Sequence, residues 1–120
     1  MKIALCDFNH TTVGIHTETM PLAIGLLGSY IIKSFPGQVD VRLFKFEDDF
    51  INETANWEPN LMGISLYSWN TNLGLHMAQI AKGKFPSITL VAGGPNIPIG
   101  DSETINFFKS FPFMDLLISK

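Results

Sequence analysis

Short apolar runs alternate with longer segments of mixed polarity along the whole chain. Continuous apolar runs of this length are typical of strands buried on both faces of a parallel sheet, and strict alternation is typical of a half-buried strand nearer an edge. The pattern predicts five strands, of which the second is the alternating one: residues 2–7, 39–46, 61–67, 88–92 and 113–119.

The segments between these strands predict helices. Residues 22–35 follow Pro21 and are apolar on most sides, so we expect this first helix to be buried on more than one face. Helical patterns also cover residues 72–84 and a short stretch ending at Lys109, residues 47–57 form a short helix or a loop, and residues 8–20 form a long loop. Strands that alternate with helices indicate an α/β fold of three α/β/α layers, a flavodoxin-like doubly wound parallel sheet with strand order 2-1-3-4-5.

The length of 120 residues fits one domain, residues 1–120. The chain ends on the fifth predicted strand, without the covering helix that such folds usually carry. We therefore expect the domain to be truncated from a longer chain.

Composition and charge exclude several classes of function. The eight Lys and Arg residues are dispersed and the net charge is −3, so no basic stripe exists for nucleic acid. The single cysteine, Cys6, excludes a disulfide framework, a zinc knuckle and an iron–sulfur cluster held by this chain alone. No apolar run approaches the roughly 18 residues of a membrane span, and the first run is too short for a signal peptide. These features predict a cytoplasmic domain with no membrane partner.

Ligands of open parallel sheets bind beyond the carboxyl ends of the strands, where the strand order reverses. In the predicted order this point lies between the first and third strands. Three segments reach it, and they carry His10 and His16, the indole of Trp69, and the adjacent glycines of residues 93–95: residues 7–20, 65–70 and 93–100. The convergence of three unusual loops predicts a binding site there.

Several nucleotide and catalytic motifs are absent at these positions. There is no G-x-G-x-x-G after the first strand, no P-loop, no nucleophile elbow, and no aspartate at the end of the third strand as a phosphoacceptor domain would need. A flavodoxin-like FMN site stays open, because Thr11 and Thr12 weakly resemble its phosphate loop and Tyr67 or Trp69 could stack on a flavin.

Three motifs carry a family resemblance. Residues 21–30 (PLAIGLLGSY) look like a P-L-G-L-x-Y-L-A-x-Y helix, residues 59–70 (PNLMGISLYSWN) are similar to P-D-L-V-G-I-S-x-Y-x-W-N, and residues 91–95 (VAGGP) resemble V-x-G-G-P. Together, in this order, they resemble the cobalamin-binding-type domain at the N-terminus of many radical S-adenosylmethionine enzymes.

The resemblance implies cobalamin held at the strand ends, with its nucleotide tail beside the first strand and first helix. By position, Ser65 would contact the tail, and Gly93 and Gly94 would make room for it. The residues implied to border the cofactor are Asn9, His10, Thr11, Thr12, Gly14, Ser65, Tyr67, Ser68, Trp69, Asn70, Gly93, Gly94, Pro95 and Asn96. The partner would be a C-terminal radical S-adenosylmethionine domain of the parent chain, which would also hold S-adenosylmethionine and a 4Fe-4S cluster.

One departure from the family concerns the metal. Related domains that ligate cobalt from below use D-x-H-x-x-G, whereas this chain has Asp7, His10 and Gly14 with one extra residue in each gap. His10 is a candidate cobalt ligand, but the spacing changes its direction relative to Asp7. The alternative is cobalamin without a protein histidine below it, its lower face shielded by Tyr67 or Trp69.

The leading hypothesis is a domain that presents cobalamin to substrate as a methyl carrier or an electron relay. The chain alone would not be an enzyme, and its parent would be a radical S-adenosylmethionine enzyme of methyltransferase or oxidoreductase type. The alternative is a cofactor-free scaffold of the same fold, whose uncovered apolar surface would make the isolated domain dimerise. A flavodoxin-like FMN binder is the third hypothesis.

Overall fold

A computed structural model describes residues 1–10 and 21–118, and within these ranges it contains five strands and four helices. The strands are β1 (Lys2–Cys6), β2 (Asp40–Phe44), β3 (Leu61–Ser65), β4 (Thr89–Gly93) and β5 (Leu116–Leu117). The helices are α1 (Leu22–Ser34), α2 (Glu47–Thr54), α3 (Thr71–Lys84) and α4 (Asp101–Ser110). All strand pairs are parallel and their order is β2-β1-β3-β4-β5, which confirms the predicted flavodoxin-like sheet.

The register brings the carboxyl ends of the central strands together. Cys6 of β1 pairs with Ile64 of β3, and Ser65 of β3 pairs with Gly93 of β4. Because parallel strands all point the same way, the segments that follow β1, β3 and β4 emerge side by side at one edge of the sheet. The described starts of the three predicted loops therefore lie side by side at this edge, and residues 11–20 of the first loop lie outside the described residues.

The two faces of the sheet pack differently. Ala4 and Cys6 of β1 belong to the larger core, which also contains residues of α2 and α3 and packs against Phe107 and Phe108 of α4. Ile3 and Leu5, which alternate with them, pack with Ile24 of α1 in a smaller cluster. The crossover from β1 to β2 runs in the opposite direction to the later ones, so its right-handed connection places α1 on the opposite face.

Helix α1 is less buried than its apolar sequence predicted. Within this helix, whose residues are all described, Ile24 and Gly28 are buried. Leu22, Leu26 and Tyr30 are 62%, 64% and 70% exposed. The prediction of burial on more than one face was wrong for the described residues, because the smaller cluster contacts only the side of α1 that faces β1 and β2. A strongly apolar outward face is left on the surface.

The short strand β5 is tied to the rest of the sheet by the carboxylate of Asp115. Its Oδ2 accepts a 2.8 Å hydrogen bond from the backbone N–H of Leu90 and a 2.9 Å bond from Nζ of Lys82. Partial burial alone would raise the pKa of Asp115, but the Leu90 N–H and the Lys82 ammonium outweigh it and lower the pKa below its ordinary value.

No helix in the described residues is long and apolar enough to span a bilayer.

This geometry predicts a pH-dependent contribution to stability. A carboxylate with a lowered pKa in the folded state stabilises the fold fully above its unfolded pKa and loses that effect as the pH falls through the folded value. Asp115→Asn should lower the free energy of unfolding by about 0.5–1 kcal/mol near neutral pH, a small effect because the side chain is partly exposed. Urea unfolding near pH 7 and at about pH 3 measures the free energy of unfolding of both proteins. The difference between Asp115→Asn and the native chain should disappear at the lower pH.

Glu58→Gln in an exposed loop is the matched control, and it should leave stability unchanged at both pH values. An Asp115→Asn effect of equal size at both values would contradict a charge-based role.

Candidate functional site

A cavity of about 460 Å³ opens between α1 and the carboxyl-terminal halves of β3 and β4. It lies on the α1 face of the sheet, at the reversal point between β1 and β3 where the sequence predicted a site. We call it the rim groove. Its lining is almost entirely apolar or backbone, and consists of Leu5, Ala23, Ile24, Leu27, Gly63, Ile64, Ser65, Tyr67, Val91, Gly93, Gly94, Pro95 and Ile118.

Two glycines, which have no side chain, form the floor of the rim groove. Gly63 of β3 lies level with Leu5 and Val91, and Gly93 of β4 lies level with Ser65, all on the groove face of the sheet. A Cβ at Gly93 would meet Cβ of Ile118 at 3.6 Å, an ordinary contact, so the backbone does not require glycine there. Its absent side chain contributes open volume to the groove.

The next residue, Gly94, has a different role. Its φ is +104°, and a Cβ there would lie 2.7 Å from the carbonyl oxygen and 2.9 Å from the nitrogen of Leu66. The chain leaving β4 therefore crosses directly over the chain leaving β3. Two backbone hydrogen bonds hold the crossing, from Leu66 N–H to Gly93 O at 2.8 Å and from Asn96 N–H to Leu66 O at 3.0 Å.

Two aromatic side chains stand at the mouth of the groove. The rings of Tyr67 and Trp69 are stacked, with centroids 4.7 Å apart and planes 12° from parallel. Tyr67 lines the groove, while Trp69 is 52% exposed and Ser68 between them is exposed. The pair offers a flat apolar surface next to the opening, which suits a planar ligand.

Asn70 and Asn9 lie beneath the rim. Asn70 is 1% exposed, and its amide is hydrogen-bonded to the segments that follow β1 and β3. Asn9 is also buried, and its backbone N–H donates to the carbonyl of Lys45. Both residues were predicted to border a ligand, and the structure places their side chains in the layer that supports the rim.

Asp7 and His10 have different partners. Nε2 of His10 lies 3.1 Å from the carbonyl oxygen of Trp69, and because a carbonyl only accepts, this nitrogen carries the proton. Oδ1 of Asp7 lies 3.4 Å from the amide nitrogen of Asn70. Partial burial raises the pKa of Asp7, and the nearby Lys45 ammonium opposes that rise. The imidazole nitrogen that is bonded to Trp69 cannot bind a metal at the same time.

The remaining predicted site residues fall into two groups. Pro95 lines the groove, and the exposed Asn96 donates from Nδ2 to the hydroxyl of Thr71 at 2.6 Å, which joins the loop after β4 to the start of α3. Thr11, Thr12, Gly14 and His16 lie outside the described residues. Within residues 1–10 and 21–118, no group of three or more His, Cys, Asp or Glu side chains could hold a metal ion.

Sequence reasoning missed most of the groove wall. Leu27 of α1, Val91 of β4 and Ile118 beyond β5 were not proposed as site residues, yet all three line the cavity. For Val91 the available signal was strand alternation. Residues two apart in a strand lie on the same face, so the prediction of Gly93 as a site residue could have included Val91. The wall from α1 depends on the angle at which the helix packs, which no local pattern encodes.

The fold and this site define a flavodoxin-like α/β domain with an apolar groove at the reversal point of its sheet. The chain is 30% identical to the cobalamin-dependent radical SAM methyltransferase TokK of Streptomyces tokunonensis, in a match that covers 82% of the chain. It is 29% identical over 103 residues to a 2-(S-pantetheinyl)-carbapenam-3-carboxylate methyltransferase of Streptantibioticus cattleyicolor. The resemblance that the motifs predicted is confirmed by these matches.

The chain spans only a small part of these relatives. The matched chain amounts to 14% of the first protein and 15% of the second. No protein-family model matches the chain.

The crossing at Gly94 predicts a large effect of adding one methyl group. Gly94→Ala should lower the free energy of unfolding by at least about 2 kcal/mol, since alanine would adopt a disfavoured φ and its Cβ would collide with the Leu66 backbone. Urea denaturation followed by far-UV circular dichroism measures the change.

Gly25→Ala in α1 is the matched control. A Cβ at Gly25 meets nothing within 4 Å, so this variant should gain about 0.5–1 kcal/mol from helix propensity. Equal destabilisation by both variants would argue against the special role of the crossing.

Proposed function

We propose that this chain is the cobalamin-binding domain of a longer radical S-adenosylmethionine enzyme. The observation that carries the proposal is the apolar rim groove, with Tyr67 and Trp69 stacked at its mouth. The chain is also similar, over 82% of its length, to a cobalamin-dependent methyltransferase. The FMN alternative has the same stacked pair in its favour, but lacks a relative among these matches.

The residues of the groove fit the nucleotide tail of cobalamin. The tail ends in a flat, largely apolar dimethylbenzimidazole, and the groove offers apolar walls from Leu5, Leu27 and Val91. The missing side chain of Gly93 leaves space on the floor. Ser65 also lines the groove and would be the polar side chain that contacts the tail. A small number of polar groups in an apolar cleft is typical of a site that orients its ligand.

The stacked pair would border the lower face of the corrin. In this arrangement Tyr67 and Trp69 would exclude water from the metal, and His10 would stay hydrogen-bonded to the Trp69 carbonyl. When bound, cobalamin supplies a cobalt ion that can carry a methyl group or an electron. The protein residues bind, orient and shield; S-adenosylmethionine and a 4Fe-4S cluster would be held by the remainder of the parent enzyme, in its radical S-adenosylmethionine domain.

The first test is retention of the cofactor. The purified chain is incubated with hydroxocobalamin or, in parallel, with FMN, then desalted, and its visible spectrum is recorded. Near-stoichiometric corrin absorbance supports the proposal. Retained flavin without corrin supports the FMN binder, and retention of neither supports the cofactor-free scaffold, for which the exposed apolar face of α1 is the favouring observation.

A substitution in the groove tests whether the nucleotide tail binds there. Gly93→Val extends the row of β-branched side chains from Val91 into the cavity and should weaken hydroxocobalamin binding about tenfold or more, because it fills the space the tail needs. Thr89→Val is the control, since it changes the same face of β4 away from the groove and should bind as the native chain does. Equal affinity of both variants would exclude the rim groove as the tail site.

The role of His10 is decided by His10→Ala. We expect the corrin to be retained with an unchanged visible spectrum, since Nε2 is bonded to the Trp69 carbonyl. A changed cobalt spectrum in this variant would instead identify His10 as the lower ligand.

A further inference from the structure

The amide of Asn70 is used completely inside the protein. Its Nδ2 lies 3.0 Å from the carbonyl of Phe8, 3.2 Å from that of Ser65 and 3.4 Å from Oδ1 of Asp7, and its Oδ1 accepts a 2.7 Å bond from the N–H of Tyr67. A primary amide has two donor hydrogens, and the three acceptors around Nδ2 account for both of them. With 1% of its surface exposed, the side chain has no access to a ligand.

These bonds join segments that the sheet itself leaves apart. Phe8 follows β1, and Ser65 is the last residue of β3, so the amide lies where the ladder between these strands stops. The bond to Tyr67 and the 3.2 Å bond from Asn70 N–H to the Tyr67 carbonyl close the turn that carries the aromatic pair. One side chain thereby fixes this turn to both central strands.

Neither aspartate nor alanine could replace the amide. An aspartate would place a carboxylate against the two carbonyls and the carboxylate of Asp7, with no donor for any of them. An alanine would leave the buried carbonyl of Phe8 and the N–H of Tyr67 without this partner. The position therefore requires a group that both donates and accepts without charge.

We propose that Asn70 is a positioning residue, which holds the stacked Tyr67–Trp69 pair in its ligand-ready orientation before any cofactor binds. The consequence for affinity rests on the proposed function, because preorganisation of the pair lowers the ordering cost of binding a flat cofactor. The geometric part of the proposal concerns the cofactor-free chain and can be tested there.

The test uses the two tryptophans of the chain as separate reporters. Biosynthetic labelling with 5-fluorotryptophan gives one ¹⁹F resonance for Trp69 and one for Trp57. Trp57 is buried, and its indole N–H donates to Asp40, which pairs with Lys2 at the other end of the sheet. In Asn70→Asp the Trp69 resonance should shift or broaden while the Trp57 resonance keeps its native position.

Asn72→Asp is the matched control, because it makes the same chemical change at an exposed position two residues away. It should leave both resonances unchanged. If Asn70→Asp does not fold, which loss of the native Trp57 resonance would reveal, Asn70→Ala takes its place, since it removes the donor and the acceptor without adding a charge.

A Trp69 resonance that stays at its native position in a folded Asn70 variant overturns the proposal. Movement of both tryptophan resonances together overturns it as well, since that indicates a general structural role. A hydroxocobalamin titration then measures the consequence, and the Asn70 variant should bind about tenfold more weakly than Asn72→Asp. If the native chain binds no corrin, the proposed function fails, and the ¹⁹F result still decides the positioning role.

Discussion

The structure depends on how backbone groups are satisfied where the central strands stop pairing. Parallel strands leave carbonyl and N–H groups at their carboxyl ends that the ladder no longer serves, and buried groups of this kind need partners. Here the amide of Asn70 provides them between β1 and β3, and the crossing of Gly94 over Leu66 provides them between β3 and β4. The segments after β3 and β4 are thereby held close enough to line one groove, and Tyr67 and Pro95 face its opening.

The groove itself results from unequal packing of the two faces. On one face, α2 and α3 bury a continuous core that includes Met62, Met77 and Leu90. On the other, the described residues that pack with Ile3 and Leu5 come from α1 and the neighbouring strands. The glycines at positions 63 and 93 have no side chains to fill the space between the sheet and α1. An open apolar cavity leaves hydrophobic surface in contact with water, and surfaces of this kind favour binding of a largely apolar ligand part or a further protein segment.

Strand order was predictable because it follows from local patterns and from the handedness of parallel crossovers. Continuous apolar runs such as residues 61–67 identified the central strands. The exposure of α1 was not predictable, since hydrophobicity reports what a helix would bury and not what is packed against it. The different roles of Gly93 and Gly94 were also visible only in the structure. Gly93 leaves open space in the groove, and Gly94 allows the backbone to cross over Leu66. The burial of Asn70 carried no sequence signal, because asparagine is more often an exposed turn residue.

The extra residues around His10 acquire a physical meaning in this context. In a histidine-ligated metal site, a carboxylate orients the ring through the second nitrogen. In this chain the carboxylate of Asp7 is next to Asn70, and the ring of His10 is bonded to the backbone of Trp69. Both groups thus act on the turn that carries the aromatic pair, Asp7 through the amide and His10 through the carbonyl. The altered spacing therefore places the Asp7 carboxylate and the His10 ring where both contact the turn that carries the aromatic pair.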